Sequence, residues 1–166
     1  MSEHDTRSLE AIEAELQQLR TMLKDPKVAG QLSAAIITKL AKGGTARDRL
    51  QAAKVASTML EVGDPLRAGS LFQLLIEQDP AEPYYRSARG HAHLRAGEPQ
   101  AALMRFDEAI GMDVNLAEAY MGRAEAHMAL DHVAEAFADY EKVVALDPQS
   151  TFAQLALVML SQRPRA

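Results

Sequence analysis

The 166-residue chain contains no cysteine and no tryptophan. The missing cysteine excludes disulfides, thiol chemistry and Cys-ligated zinc, and it is compatible with a reducing cytosol. Aromatic residues make up only 5% of the chain, against 8 methionines. The interior must therefore be built from Ala, Leu, Val, Ile and Met, which favours close helix packing. Positive charge is also in deficit. A formal net charge of −5 argues against nucleic-acid binding, which needs a basic face to displace counterions. No apolar run approaches the ~18 residues that span a bilayer. Residues 1–7 lack the basic start and apolar core of a signal peptide. A cytoplasmic chain with no membrane insertion is the expectation.

Motifs for chemistry are lacking too. Gly43-Gly44-Thr45 has neither the glycine spacing nor the Lys-Ser/Thr of a phosphate loop, and there is no nucleophile elbow. His93 and His127 share a repeat position, but no third ligand joins them at metal spacing, so both are expected to pack rather than to bind metal. The chain is expected to be no enzyme and to need no cofactor.

What is present is a repeat. The pairs Ala68/Phe72, Ala102/Phe106 and Ala136/Tyr140 recur every 34 residues. The same interval relates Gly63 to Gly97, Pro65 to Pro99, and Asp79 to Asp113 and Asp147, and twice that interval relates Pro80 to Pro148. A strict repeat of this length predicts stacked helix pairs and a binding surface rather than a catalytic pocket. The helix pairs are expected at 46–62 with 65–78, 83–96 with 99–112, and 116–130 with 133–146. Gly63 and Gly97 stop the first helix of their pairs, and Asp131 stands where the third pair would have glycine. Pro65 and Pro99 fall at the first helical position, where a missing N–H costs nothing. Ser150 is expected to cap a last helix over 151–162, which closes the array.

Before the repeats, residues 8–24 read as a helix carrying Leu9, Ile12, Leu16, Leu19 and Leu23 at alternating spacings of 3 and 4. That a/d stripe fits either packing on the chain's own repeats or a self-association seam that makes a homodimer, and both readings stay open. Asp25-Pro26 is read as the stop of this helix. A second segment runs from Gln31 to Lys42 and ends at Gly43-Gly44. Thr45, with Asp48 three residues on, reads as a capping box.

The repeated residues resemble the tetratricopeptide repeat over about 47–148: Gly90, Gly97, Ala102, Phe106 and Ala109 in the second unit, and Tyr120, Ala124, Ala136, Tyr140 and Pro148 in the third. Ala56, Gly90 and Ala124 occupy the close crossing of each pair. The resemblance implies an all-α solenoid of three helix pairs with an N-terminal helical extension and a C-terminal capping helix. Its parts are the extension at 1–45, repeats at 46–80, 81–114 and 115–148, and a cap and tail at 149–166. Within the family the layout is similar to chaperones of type III secretion translocators, through Phe72-Gln73-Leu74-Leu75, Ala109 to Asp113, and Ala124-Glu125. That similarity implies a protein or peptide partner, such as an extended translocator segment. A TPR scaffold associating through its N-terminal heptads is the alternative.

Helical phase assigns the inward face to Leu50, Ala53, Ser57 and Leu60 in the first repeat. It assigns Tyr84, Ser87, His91 and Leu94 in the second, and Glu118, Met121, Glu125 and Met128 in the third. Apolar and small residues with sparse charge suit a peptide with a few apolar anchors, and methionine adapts to several shapes. Some family members hold a partner's C-terminal carboxylate with basic residues. At the matching positions this chain has Ala53, Ser57, Ala88, Glu118 and Gly122, with only Lys54 basic, so no such clamp is expected. Arg123 is expected to pair with Asp139.

Overall fold

Proline and glycine punctuation sets most of the helix boundaries. The computed structural model describes residues 3–163, with side-chain surroundings from residue 10 onward. Among the described residues every regular element is an α-helix: α1 Glu3–Leu23, α2 Pro26–Ala41, α3 Ala46–Glu61, α4 Pro65–Gln78, α5 Pro83–Arg95, α6 Pro99–Met112, α7 Ala117–Ala129, α8 Val133–Leu146 and α9 Thr151–Ser161. None is long and apolar enough to cross a membrane. Residues 1–2 and 164–166, at the ends of the expected extension and tail, lie outside the described residues.

The turns follow local chemistry. Gly63 and Gly97 adopt φ of 88° and 78°, and Asp131 adopts 62° at the third equivalent turn. This left-handed conformation is easy for glycine and costly for most other residues. Thr45 and Asp48 form the reciprocal capping box, and Ser150 accepts from Ala153 N–H at 3.1 Å to start α9. Two helices begin earlier than expected: α1 at Glu3 rather than residue 8, and α2. Asp25-Pro26 ends α1 but also begins α2, five residues before Gln31. Asp25 accepts from Lys27 N–H at 2.8 Å, and Pro26 takes the first helical position.

The helices group into two units, residues 1–78 and 79–166. In the first, α3 and α4 form the expected repeat pair, and α1 and α2 pack against them as another pair. Arg20 Nε bonds Glu61 Oε2 at 2.7 Å, and Lys54 Nζ lies 3.7 Å from Glu15 Oε2. These contacts advance in the same direction along both helices, so α1 runs parallel to α3, as the first helices of successive repeats do. α2 carries the matching residues. Ala29 follows Pro26 by three positions, as Ala68 follows Pro65 and Ala102 follows Pro99, and all three alanines have no exposed surface. Where α4 and α6 then place Phe72 and Phe106, α2 has Ser33. Its hydroxyl donates to Ala29 O at 2.8 Å and lies 3.9 Å from the Met59 thioether. The extension is thus a fourth, degenerate helix pair.

In the second unit, α5–α6 and α7–α8 are repeat pairs, and α9 packs on α8 and α7. The core joins Phe106, Tyr120, Phe137, Tyr140 and Val143 to small residues, including Ala102, Ala124 and Ala156. Phe106 is the wedge. A Cβ built on Gly90 of α5 would lie 2.7 Å from its ring, and one built on Gly122 of α7 only 2.3 Å from it. Glycine at both positions lets one aromatic ring fill the crossing of three helices.

Candidate peptide-binding surface

In the first unit the side-by-side packing of α1 and α3 leaves a cleft of about 270 Å³ lined by Glu15, Gln18, Leu19, Met22, Gln51 and Lys54. Of the inward positions expected on α3, Leu50 is 71% exposed and Ser57 and Leu60 are half-buried, whereas Ala53 is buried. The α1 side of the cleft was not foreseen, because α1 had not been read as the first helix of a pair. The heptad stripe is graded along it. Leu23 is buried, Leu16 and Leu19 are half-buried, Ile12 is 50% exposed, and the side chain of Leu9 lies outside the described residues. Lys54 faces Glu15, so the one basic residue at a clamp position already has a carboxylate beside it.

In the second unit the expected face is mixed. Tyr84, His91 and Leu94 are half-buried, with Leu94 packed against the core. Met128 and Glu125 are exposed. Ser87 has no exposed surface and Met121 only 7%. Neighbouring residues cover these two, so neither is presented at the surface that helical phase assigns them to. His91 stands edge-on to Phe106 with ring centroids 5.0 Å apart, and its Nε2 lies 3.7 Å from Glu118 Oε1. Burial pushes the His91 imidazole down to about 4, with Arg95 adding to the effect, and burial raises the Glu118 carboxyl. At neutral pH His91 is therefore an uncharged ring beside the half-buried Glu118 carboxyl.

The remaining polar residues are structural. Arg123 donates twice to Asp139, at 2.8 and 2.7 Å, and once to Asp107 at 2.7 Å. The paired carboxylates, Asp139 first, hold its guanidinium above the ordinary value. The bidentate bond ties α7 to α8 and accounts for a nearly buried aspartate. His93 Nδ1 contacts Glu98 Oε2 at 2.7 Å, and His127 Nδ1 lies 3.4 Å from His132 Nδ1. Each of these pairs spans the turn that follows its helix. Among the described residues no three His, Asp or Glu side chains converge as metal ligands do.

Comparison with known proteins gives the same fold. A family model described as tetratricopeptide repeat matches residues 117–150. A serine/threonine-protein phosphatase T from Trypanosoma brucei brucei is 42% identical over 66 residues, 40% of this chain; the match spans only 14% of that relative's length. The type III secretion translocator chaperone SycD of Yersinia enterocolitica superposes with a TM-score of 0.68 at 16% identity, covering 75% of this chain and 96% of that one. PcrH, in complex with the chaperone binding region of PopB, gives 0.66 at 22% identity, covering 71% and 98%. The first TPR of Spaghetti (RPAP3), bound to an HSP90 peptide, gives 0.62 at 24% identity, covering 71% and 94%. The tetratricopeptide repeat is thus matched in sequence at residues 117–150, and the helix-pair fold of these structures is shared over about three quarters of the chain.

Proposed function

We propose that this protein is a non-catalytic binding module, cytoplasmic, that holds an extended or helical segment of a protein partner on the inward faces of its repeats, as a translocator chaperone does. The observation that carries this reading is the α1–α3 cleft, whose wall includes the half-buried Leu19 and Met22, the latter 44% exposed. The neutral His91 and exposed Met128 extend the same chemistry to the second unit. Two neighbours in fold carry bound segments, one from PopB and one from HSP90. The HSP90 peptide is acidic, and at the clamp positions only Lys54 is basic, with Glu15 beside it, so an apolar segment is the better fit.

The test is site-specific photo-crosslinking in the native cytosol from Leu50 and Met128, with Leu66 on α4 as an exposed control. A partner segment cross-linked from Leu50, and likewise from Met128 in the second unit, but not from Leu66, with the Leu50 product lost in Ser57→Arg at unchanged helicity, is the expected result. Equal labelling from all three positions would sink the proposal. The graded stripe on α1 favours a second reading. Its exposed end at Ile12, with Leu16 and Leu19 half-buried, is free to join another chain, as in a self-associating scaffold. In that case Leu16→Asp removes the oligomer.

A further inference from the structure

The turn after α7 holds two imidazoles where the equivalent turn after α5 holds one. His127 and His132 lie 34 positions beyond His93 and Glu98, so the two pairs occupy the same place in successive repeats. Both turns have the same backbone closure. The N–H of Glu98 donates to His93 O, and that of His132 to His127 O, each at 2.9 Å. The side chains differ. After α5 the pair is closed by a short contact of 2.7 Å between His93 Nδ1 and Glu98 Oε2. After α7 an imidazole stands in place of the carboxylate, and the two Nδ1 atoms face each other at 3.4 Å. That separation exceeds the roughly 2.7–3.2 Å of a well-made N–H hydrogen bond. It matches a different partner. Two nitrogens bound to one zinc ion at about 2.0–2.1 Å, at the tetrahedral angle of ~109°, stand about 3.3–3.4 Å apart. A square-planar ion, with an angle of ~90°, would need about 2.9 Å.

We propose that His127 and His132 form a zinc site, in which the ion is chelated by Nδ1 of each ring. Besides closing the turn, the pair then holds a cation between its rings. The backbone bond from His132 to His127 fixes the turn before the ion arrives, so chelation orders only two side chains. The surroundings favour positive charge. His127 lies in the last turn of α7, at the negative end of the helix dipole. Asp131 precedes His132 directly, and Glu135 lies in the first turn of α8; both are exposed. His132 is exposed and His127 half-buried, so an ion reaches the pair from solvent. Structural zinc sites use four protein ligands and catalytic ones three. Two imidazoles leave the other positions to water, so this site exchanges its ion readily and the fold does not depend on it.

The test is calorimetric titration of the intact chain with zinc chloride, paired with NMR of the imidazole nitrogens. The expected result is one ion per chain, with the Nδ1 signals of His127 and His132 shifting together. His127→Ala and His132→Ala should each weaken binding about tenfold or more, at unchanged circular dichroism, whereas His93→Ala should leave it intact. Glu98→His places a second imidazole in the earlier turn and should add a second ion. The proposal is overturned by a wild type that takes up no zinc at millimolar concentration, or by affinity that survives His132→Ala. It is equally overturned if the Glu98→His chain still binds a single ion, since the turn geometry would then not make the site.

Discussion

The α5–α6 pair of the second unit and the α1–α2 pair of the first solve one packing problem with different side chains. At the centre of the second, Phe106 fills the crossing of α5, α6 and α7 because Gly90 and Gly122 step back from it. In the pair formed by α1 and α2, the corresponding place holds Ser33. The serine satisfies its own hydroxyl on Ala29, and the long side chain of Met59 comes across from α3 to meet it. One solution is a large rigid ring between small neighbours. The other is a small residue approached by a flexible chain. The helix-pair geometry survives the exchange because it depends on filled volume and close backbones more than on aromatic identity.

Substitutions can probe this contrast. The largest effect is expected from Phe106→Ala, which empties the three-helix crossing and should cost about 4 kcal/mol. Met59→Ala, in a core that flexes more easily, should cost about 3 kcal/mol. Urea denaturation followed by circular dichroism measures both, and equal losses would erase the distinction. Gly122→Ala should destabilise by about 2 kcal/mol, since the new methyl has no room beside the ring. Gly30→Ala on α2 meets nothing nearer than Arg67 Nη2 at 4.0 Å and should instead stabilise by about 0.5–1 kcal/mol.

The response to acid should also differ between the units. His91 is held near 4 when folded, below its ordinary ~6.5. Between those values the unfolded chain binds the extra proton, so stability falls as pH drops from about 6.5 through 4. At pH 5 the loss is about 2 kcal/mol, and His91→Gln should remove it. Glu118 works in the opposite sense. Its raised carboxyl is protonated first in the folded state, so acidification relieves a cost of burial, and Glu118→Gln should stabilise the protein at neutral pH. The first unit has Ser57 at the repeat position of His91 and should not share this acid sensitivity. The smallest effect is at a turn. Asp131→Gly relieves a left-handed φ of 62° and should raise stability by up to about 1 kcal/mol, read as a rise in melting temperature.

The three repeat pairs were legible because Ala/aromatic pairs and turn residues recur in step, and Asp131 was placed at its turn by counting alone. The fourth pair was hidden by Ser33 and by reading Pro26 only as a stop. The signal was nonetheless present, since Pro26 and Ala29 repeat the spacing of Pro65 with Ala68. The exposure of the expected inward face was not legible. Helical phase says which way Ser87 and Met121 point, but their cover comes from residues distant in sequence, which no periodicity reports. The outward face of α9, where Leu155, Leu157 and Val158 are exposed, was missed for the same reason. Its pattern is apolar on nearly every side, and only packing against α8 decides which apolar residues remain outside.

Phe106 also carries a consequence for how the second unit folds. Its ring belongs at once to the pair α5–α6 and to α7 of the next pair. Neither pair can complete its interior alone. In a nearest-neighbour description of repeat arrays, the coupling between these two pairs is large relative to the intrinsic stability of each. A state with one pair formed and the other open is therefore scarcely populated. The slowest-exchanging amides of α5, α6, α7 and α8 should open with a single common free energy, so that two repeats behave as one cooperative unit.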